Sequence, residues 1–524
     1  MLLSRLSGLI RQRIFAHFFG TAPAADAFHT ALRLPNVLQN LLGEGVLSAS
    51  FIPVYAEALE QGDEERAGRI AGAIFALLLA VAGAVALLGF VAAPILVRVL
   101  TPGFTGFRYD LTVRLVRVLF PMAGVLVLSA WALGVLNSHR KFFLSYVAPV
   151  AWNAAMIVTL AVFGTRLAQG SLAVALAWGA LVGGVLQFLV QVPAVLRLEP
   201  SLRVRWDTRL AGVRTAVRNA GPAIMGRGVV QLSGYVDLFL ASFLATGSLA
   251  ALGYAQTLYV LPVSLFGMSV AAAELPELAR ERGAGSEVLR ARVNAGLERM
   301  AFYVVPSVVA FFAVGDQVVG ALYRTGDFGV AETRWVWVVL MGYAFGLLAS
   351  TGTRLFSSAY FALHDTRTPA VFAGARVAFA ATAGVLLMVW LEPIQVAGRS
   401  VGGWGFAAGA GPTVGGYPLG VFGLTAAAGA GAWLEWVLLR RRLGRRIGRV
   451  ALPGRPLARM VLAAAVAALA GRGVAHWGPT AHPLVTSLAS LTTFGVVYLG
   501  LAWALGLAEA RALWAARLGS GTSD

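Results

Sequence analysis

The chain contains the stretch IFALLLAVAGAVALLGFVAAPIL, Ile74 to Leu96, in which no residue is charged. A helix rises about 1.5 Å per residue, so this run is long enough to cross a hydrocarbon core of ~30 Å. Three further uncharged runs are Ser145–Phe163, Leu172–Val195 and Leu484–Leu505. Because backbone polar groups in lipid must be satisfied within the segment, each run is predicted to be a helix. The sequence therefore predicts an all-α polytopic membrane protein.

The composition of the whole chain supports the same class. Of 524 residues, 58% are hydrophobic and 13% are charged, and the mean hydropathy is +0.76. These values lie outside the range of ordinary soluble domains, and we expect no soluble domain between the apolar runs. Cysteine is absent, which excludes disulfides and thiol chemistry. The basic N-terminus continues into a further apolar hairpin, so we expect no cleavable signal peptide of the usual kind.

The net charge of +18 is concentrated in every second connection between the apolar runs. These basic connections are Arg140–Lys141, Arg197–Arg218, Arg280–Arg299 and Arg440–Arg459. The positive-inside rule then predicts that both termini are cytoplasmic. Arg108, Arg166 and Arg324 are exceptions on the predicted outer side. Because topology accounts for the basic charge, a nucleic-acid partner is not expected.

The apolar runs and their boundaries predict about 14 transmembrane helices. Their predicted ranges are 2–19, 24–58, 68–99, 111–137, 144–165, 170–196, 214–244, 247–274, 296–323, 331–362, 367–391, 417–440, 456–476 and 483–507. The long outer connection from Glu392 to Tyr417 is rich in glycine, which predicts a flexible connection and no domain.

Two segments of the chain share a pattern that predicts an internal repeat. One starts at Phe19 and the other at Phe243; each reaches a Leu-Pro, at Pro35 and Pro262, and then a second proline, at Pro53 and Pro276. The segments lie six predicted spans apart, so they have the same orientation. We expect two parallel six-helix lobes around a central cavity, a transporter architecture, with two added helices. The alternative is two unrelated helices with prolines.

The repeat divides the chain into three predicted domains. These are an N-lobe (residues 1–210, spans 1–6), a C-lobe (residues 211–445, spans 7–12) and a final part with spans 13 and 14 and the cytoplasmic tail (residues 446–524).

Several ionisable residues fall inside predicted spans, where burial of a charge is costly and usually serves a function. Asp26, His29 and Arg33 follow a spacing that puts them on one helix face. Guanidinium groups suit phosphate oxygens, so a cavity with several of them would attract a diphosphate. The alternative without a functional role is that these side chains extend their charged ends to the membrane surface or neutralise one another. The predicted substrate-binding residues are Arg5, Arg11, Asp26, Arg33, Glu44, Arg227 and Arg354.

The same spans carry candidate points of bending and of ion coupling. Pro35 and Asn36 interrupt regular helical hydrogen bonding, and Pro262 does so in the second copy; we expect both places to bend during gating. Asp237 is a candidate ligand for a coupling cation or proton, and the alternative is a structural ion pair with Arg376. No Cys/His metal spacing, Gly-x-Ser-x-Gly elbow or phosphate loop occurs, so we predict no enzyme and no organic cofactor.

The N-terminal sequence SRLSGLIRQRIFAHFFGTAPAADAFHTALRLPNVLQNLLGEGVLSASFIPVYAE resembles the signature of the MurJ (MviN) lipid II flippases. That family belongs to the multidrug/oligosaccharidyl-lipid/polysaccharide exporter superfamily. Further similarities follow in order, at TPGF (Thr101), LNS (Leu136), APVAWNAAMI (Ala148), GPAIMG (Gly221), FLASFLATG (Phe239) and HDTRTP (His364). The resemblance covers spans 1–12 almost continuously.

The resemblance implies a transporter that moves lipid II, the undecaprenyl-diphosphate-linked peptidoglycan precursor, from the inner to the outer leaflet of the cytoplasmic membrane. It implies that Arg5, Arg11 and Asp26 line a cationic cavity for the diphosphate and sugar head. It also implies coupling to the membrane potential or to a cation, with Asp237 at a sodium-site position and Thr425 as a second ligand. The implied partners are lipid II, membrane lipids and the cell-wall synthesis machinery.

The chain also departs from the family pattern. It has Gln12 where an Asp is frequent, and Thr257 where many members have an essential arginine. Ala380 and Gly384 stand where sodium ligands are expected, and neither has a side chain that can coordinate. Three alternatives therefore stay open: a flippase for another polyprenyl-linked oligosaccharide, a cation-coupled drug exporter of the same superfamily, and a non-transporting cell-wall scaffold.

Overall fold

A computed structural model describes residues 2–280, 285–396, 399–403, 411–451, 454–477 and 482–512. In this part of the chain almost all regular structure is α-helical. The helices are α1 Leu2–Phe19, α2 Pro23–Arg33, α3 Asn36–Leu42, α4 Glu44–Glu60, α5 Glu64–Leu100, α6 Gly106–Ser138, α7 Phe142–Phe163, α8 Gln169–Leu198, α9 Ala211–Ala241, α10 Ser248–Pro262, α11 Met268–Arg280, α12 Ser286–Ala313, α13 Gly315–Tyr323, α14 Val330–Phe345, α15 Leu347–Ala362, α16 Arg367–Leu391, α17 Gly420–Ile447, α18 Gly454–Trp477 and α19 Pro483–Ala504. A π-helical turn, Val263–Gly267, joins α10 to α11.

Each of the 14 predicted spans coincides with helical structure, and the fold class is confirmed. In the described part of the chain, 12 helical segments are long and apolar enough to cross a membrane. The two predicted spans outside this set are α1 and α9. Both carry several charges along their length, for example Arg11 in α1 and Asp237 in α9. The number of spans is therefore close to 14, and the two polar helices account for the difference.

Several predicted single spans are interrupted helices. The first predicted copy of the repeat is divided into α2, α3 and α4, with breaks at Leu34–Pro35 and at Gly43. The second copy stays helical through the π-helical turn that follows Pro262. Proline lacks an N–H donor and its ring clashes with the preceding turn, which explains why regular hydrogen bonding changes at both places. Further along the chain, Gly346 separates α14 from α15.

The chain divides into two compact units. One consists of Met1–Ala250 with Thr325–Phe328, and the other of Ala251–Arg324 with Gly329–Asp524. The predicted domain boundaries at residues 210 and 445 derive from the internal repeat. The division into two units reflects only how compactly the chain packs, so it does not test these boundaries. They stay predictions.

The first unit has an apolar core among α4, α5, α6 and the start of α9. Phe51, Ile70 and Trp131 are at most 3% exposed within it. The indole N–H of Trp131 donates to the Ala71 carbonyl oxygen at 3.1 Å, so its one polar group is satisfied inside the core. Small residues allow helix backbones to approach closely. Close packing is important in a membrane, because the surrounding lipid is as apolar as the protein core and gives no hydrophobic driving force for helix association.

The second unit has a separate core among α12, α18 and α19. Phe302, Met460 and Tyr498 are at most 4% exposed there. The Tyr498 hydroxyl donates to the Phe302 carbonyl oxygen at 2.7 Å. Elsewhere in this unit α17 approaches the α14–α15 junction so closely that a Cβ on Gly346 would lie 2.5 Å from the Cα of Gly429. Only glycine fits at that crossing.

The surface of α5 shows why the apolar runs are not simply core. Leu87, Val91, Ile95 and Val99 recur every four residues and are 61–68% exposed. Side chains at this spacing share one helix face, so the face is both apolar and uncovered. Exposed apolar area of this extent marks contact with lipid in a protein of this composition.

The glycine-rich connection from Glu392 to Tyr417 holds two short antiparallel hairpins, although the composition predicts only a flexible connection. Strand β1 (Ile394–Val396) pairs with β2 (Arg399–Val401), and β3 (Thr413–Val414) pairs with β4 (Tyr417–Pro418). The Tyr417 ring stacks on Trp335 of α14 at 4.3 Å. This stacking holds the second hairpin against the helix. Residues 397–398 and 404–410 lie outside the described part of the chain.

Candidate functional site

The hairpin of α1 and α2 positions the polar residues that the sequence singles out. Gly20, at a φ of +48°, ends α1, and Pro23 starts α2 at a position where its missing N–H has no cost. The rings of Phe15 and Phe28 lie 5.3 Å apart across the hairpin, and the His29 ring meets Phe15 edge-on at 5.1 Å. The apolar face of α2 is therefore fixed against α1.

Asp26 lies in α2 and is 1% exposed. One carboxylate oxygen accepts a hydrogen bond from the Gly247 N–H at 2.7 Å, and the other accepts one from the Ala250 N–H at 2.9 Å. The Ala250 N–H belongs to the first turn of α10, and the Gly247 N–H immediately precedes that helix. Donors in a first turn have no partners within the helix, and the helix dipole favours a negative charge there. In this conformation Asp26 caps a helix; its predicted contact with substrate stays a prediction.

Arg108 is the residue that the sequence marks only as an exception to the charge rule. Its guanidinium Nη1 lies 3.5 Å from the Asp26 carboxylate, and its side chain is 17% exposed. The guanidinium also lies 4.8 Å from the centre of the Phe104 ring. The signal that the sequence offered was the position of Arg108 on the predicted outer side, next to the TPGF motif.

Arg11 of α1 rests on α7. Its guanidinium carbon lies 4.7 Å from the centre of the Trp152 ring, and its Nη1 lies 3.7 Å from the sulfur of Met156. The Asn153 amide donates to the Ser7 hydroxyl at 2.9 Å. The APVAWNAAMI run therefore fixes the orientation of α1, a role that spacing alone does not reveal. Arg5 and Arg13 lie on the same helix, and both are half-buried.

A four-residue turn, Thr325–Phe328, belongs to the first unit and contacts the end of α1. The Asp327 N–H donates to the His17 carbonyl oxygen at 2.9 Å, and His17 Nδ1 shares a hydrogen bond of 2.8 Å with the Thr325 hydroxyl. The Gln169 amide donates to the Asp327 carboxylate at 3.0 Å. Because Gly326 has a φ of +54° and a Cβ there would lie 2.3 Å from the His17 oxygen, only glycine allows this approach. We call residues 325–328 the docked turn.

The other predicted site residues of the first unit lie around the interrupted helix. The backbone oxygen of Arg33, at the end of α2, accepts a hydrogen bond from the Tyr235 hydroxyl of α9 at 3.2 Å. Glu44 is exposed in the first turn of α4, and Asp237 is half-buried on α9. Arg227 also lies on α9, but its side chain is outside the described part of the structure.

In the second unit, charged residues of three helices come together. Arg376 of α16 pairs with Glu435 of α17 at 3.2 Å, and Glu435 is 4% exposed. Arg354 of α15 is exposed and contributes to the electrostatic field at Glu435. Arg376 therefore has a partner on its own unit, and that partner is a glutamate that the sequence analysis had not assigned.

Thr425, the other residue implied for a cation, is 1% exposed on α17. Its hydroxyl donates to the Phe422 carbonyl oxygen at 3.1 Å, and a Cβ on Gly342 would lie 2.0 Å from it. Within the described residues, no group of three or more His, Cys, Asp or Glu side chains lies together as a metal cluster would.

These observations define the class: a polytopic α-helical membrane protein with interrupted spans and buried ion pairs. The model of the lipid II flippase MurJ family matches residues 15–498. A probable lipid II flippase MurJ of Rhizobium tropici is 33% identical over 408 residues, covering 76% of each chain. A lipid II flippase MurJ of Burkholderia cenocepacia is 29% identical over 523 residues, covering 96% of this chain and 95% of the relative. The chain belongs to the lipid II flippase MurJ family.

Solved structures agree on the fold. A structure of lipid II flippase MurJ in an inward closed conformation superposes with a TM-score of 0.73 at 19% identity and covers 96% of each chain. An inward-facing multidrug resistance transporter of the MATE family, in the MOP superfamily, gives a TM-score of 0.66 at 18% identity, over 85% of this chain and 94% of the other. Members of this family are transporters and not enzymes, and the protein is a multi-pass protein of the inner membrane.

Proposed function

We propose that the protein moves lipid II from the inner to the outer leaflet of the cytoplasmic membrane by alternating access. The observation that carries this proposal is the family match from residue 15 to residue 498, which includes every predicted span except most of the first (2–19) and the end of the last (483–507). The interrupted helices support it, because bending at a break is less costly than bending a regular helix. The predicted orientation, with both termini in the cytoplasm, is part of the proposal.

Helix α1 supplies the charge for recognition of the head group. Its sequence contains Arg5, Arg11 and Arg13 and no carboxylate. Arginine presents several N–H donors in a planar fork, which matches diphosphate oxygens. The Arg11 guanidinium lies over the Trp152 ring, which restricts the positions that this arginine can take. We assign the diphosphate of lipid II to this helix. Arg33, Glu44, Arg227 and Arg354 stay predicted substrate-binding residues, without an assigned part of the substrate.

The outer end of the hairpin of α1 and α2 is held by exchangeable polar contacts. Asp26 binds the first turn of α10 and Arg108, and His17 binds the docked turn. All of these contacts are hydrogen bonds or ion pairs, which can be broken and remade at a modest net cost. Alternating access requires a second conformation, and in our proposal these contacts are the ones that change.

The driving force in this proposal is the membrane potential or a coupling cation. Asp237 is the candidate acid, since it is half-buried on a helix whose sequence contains no other carboxylate. It is the better candidate of the two because its side chain can carry a negative charge, whereas Thr425 offers a neutral hydroxyl. An association with the cell-wall synthesis machinery belongs to the same proposal and rests on the family name alone.

The test is complementation. A bacterium depleted of its own lipid II flippase would express this chain, and lipid II in the outer leaflet would be measured with an impermeant toxin that degrades it. We expect growth and outer-leaflet lipid II to be restored by the wild-type chain and by Arg280→Ala, since the Arg280 side chain is 78% exposed. Arg11→Ala should abolish both, and Arg11→Lys should restore only part because lysine lacks the fork.

Two outcomes would contradict the proposal. One is no restoration by wild-type protein that is present in the membrane, which would favour another polyprenyl-linked substrate or a scaffold. The other is full restoration by Arg11→Ala, which would remove α1 from head-group recognition. Asp26→Asn separates the roles further: it keeps only one of the two acceptor oxygens and loses the negative charge next to Arg108, so it should lower flipping even though the head-group arginines are intact.

A further inference from the structure

A basic cavity lies at the C-terminal end of α17, within the second unit. Its volume is about 410 Å³, in the range of small-molecule sites. Among the described residues that line it are Arg440, Arg441 and Arg449, and none of those residues is acidic. The described residues that line it include neither Arg376 nor Glu435, and neither the family resemblance nor the proposed transport path assigns it a role.

The chain builds this cavity by reversing direction after α17. Gly448 has a φ of +88°, which L side chains rarely adopt, and it turns the chain back along the helix. The carbonyl oxygen of Val450 then accepts two hydrogen bonds from Arg440, from Nε at 3.1 Å and from Nη2 at 2.9 Å. These two hydrogen bonds hold Val450, and with it the neighbouring Arg449, beside Arg440. Two positive charges are therefore kept close together by the path of the backbone.

The wall below the arginines is apolar. The Arg440 guanidinium lies 5.1 Å from the centre of the Trp436 ring, and Trp436 is 6% exposed. Arg441 and Arg449 are exposed at the mouth of the cavity. A ligand there would meet positive charge at one end and an aromatic and aliphatic surface at the other, which is the arrangement that an amphipathic anion requires.

We propose that this cavity binds the phosphate of an anionic phospholipid of the membrane. Three like charges in one cavity repel one another unless an anion is present, and arginine forks suit phosphate oxygens. α17 is a candidate span, and its basic end lies on the predicted cytoplasmic side, where a polybasic pocket meets lipid head groups. A zwitterionic lipid carries its own compensating cation, so the net charge favours an anionic one.

The full-length chain, purified in detergent, would be titrated with phosphatidylglycerol and with phosphatidylcholine of the same acyl chains, and bound lipid would be counted by native mass spectrometry. The test variants are Arg441→Gln, Arg449→Gln and their combination. The matched control is Arg445→Gln, since Arg445 is an exposed arginine of the same helix end that does not line the cavity. The two arginines changed make no contact on which the fold of α17 depends in the described structure; thermal unfolding of each variant checks this.

We expect phosphatidylglycerol binding to weaken about fivefold for each arginine removed and about 25-fold for the pair. Arg445→Gln should leave it unchanged, and the Arg441→Lys/Arg449→Lys pair should retain most of it. Equal affinity for phosphatidylcholine, or an unchanged affinity in the double variant, would overturn the proposal. Displacement of the lipid by millimolar inorganic phosphate would also overturn it, because the site would then bind a soluble anion. None of these outcomes depends on lipid II transport.

Discussion

The two copies of the repeated pattern meet their first proline in different ways. At Pro35 the helix ends, restarts as α3 and ends again at Gly43, where the surrounding residues Asn36, Gln39 and Glu44 are polar. At Pro262 the helix continues through a π-helical turn, and the Tyr259 hydroxyl one turn earlier donates to the Ser350 hydroxyl at 2.9 Å. The first break is an interruption of the chain's helical path; the second is a widened turn within one helix.

The second prolines differ in how the helix end is anchored. Near Pro53, the Tyr55 hydroxyl donates to the Glu199 carboxylate at 2.7 Å and lies 2.9 Å from His139 Nε2. Near Pro276, Glu274 pairs with Arg292 at 2.7 Å and with Arg299 at 2.9 Å. A similar pattern of prolines is thus held by a hydroxyl network in one copy and by ion pairs in the other. The prolines determine where the helices change their hydrogen bonding, and the polar contacts near the second proline determine how strongly each helix end is bound to its neighbours.

A large effect is expected at Glu274. Because its side chain is buried while its partners are one third and one half exposed, Glu274→Gln should lower the free energy of unfolding by about 2 kcal/mol. Thermal unfolding in detergent measures this. The control is Glu277→Gln, since Glu277 is 39% exposed and should cost less than about 1 kcal/mol. Equal effects of the two substitutions would show that burial does not set the strength of this anchor.

A smaller loss is expected for Tyr55→Phe. The substitution removes the hydroxyl that donates to the buried Glu199 carboxylate. A hydrogen bond to a charged group contributes about 1.5–3 kcal/mol to stability. The loss should be at the lower end of this range, because the Ser201 hydroxyl still donates to Glu199. We expect about 1.5 kcal/mol in thermal unfolding. Tyr109→Phe is the matched control, since that hydroxyl binds only the neutral carbonyl oxygen of Pro94. A larger effect at Tyr109 would contradict the assignment.

The two breaks can be compared directly through their glycines. A Cβ on Gly43 would lie 2.1 Å from the backbone oxygen of Gln39, whereas one on Gly267 would lie 2.8 Å from the Cγ2 methyl of Thr351. Both alanine variants should be destabilised, by about 1–3 kcal/mol. Adding Thr351→Ser should rescue Gly267→Ala, because serine lacks the methyl but keeps the hydroxyl. If thermal unfolding shows no rescue, the backbone, and not only the Thr351 methyl, excludes a side chain at Gly267.

The smallest effect is expected at Asp365, an anchor outside the spans. Hydrogen bonds from the Thr368 N–H and hydroxyl, together with Arg446, lower the pKa of Asp365 from 3.8 to about 2. A lowered pKa stabilises the fold above the unfolded value near 4 and loses that contribution as the pH falls toward 2. The difference in melting temperature between wild type and Asp365→Asn should therefore be constant above about pH 5 and vanish near pH 2. A difference independent of pH would exclude this account.

The sequence was a good guide to the helices and a partial guide to the site. Apolar runs located nearly every helix, since an uncharged run of sufficient length has few alternatives in a membrane. The i, i+3, i+7 spacing correctly placed Asp26, His29 and Arg33 on one helix. It could not show that the Asp26 carboxylate binds backbone N–H groups more than 200 residues away, because the spacing of residues within one helix does not tell which distant helix packs against it.

The sequence by itself determined the class of protein, the approximate number of spans and the family. Hydropathy and sequence motifs are local properties, so they can be recognised without knowledge of the tertiary contacts. Tertiary structure alone decided the partners: Arg108 for Asp26, Trp152 for Arg11, Glu435 for Arg376, and the docked turn for His17. Such pairs depend on how helices distant in sequence pack. Directional polar contacts form only where packing brings donor and acceptor within about 3 Å of each other.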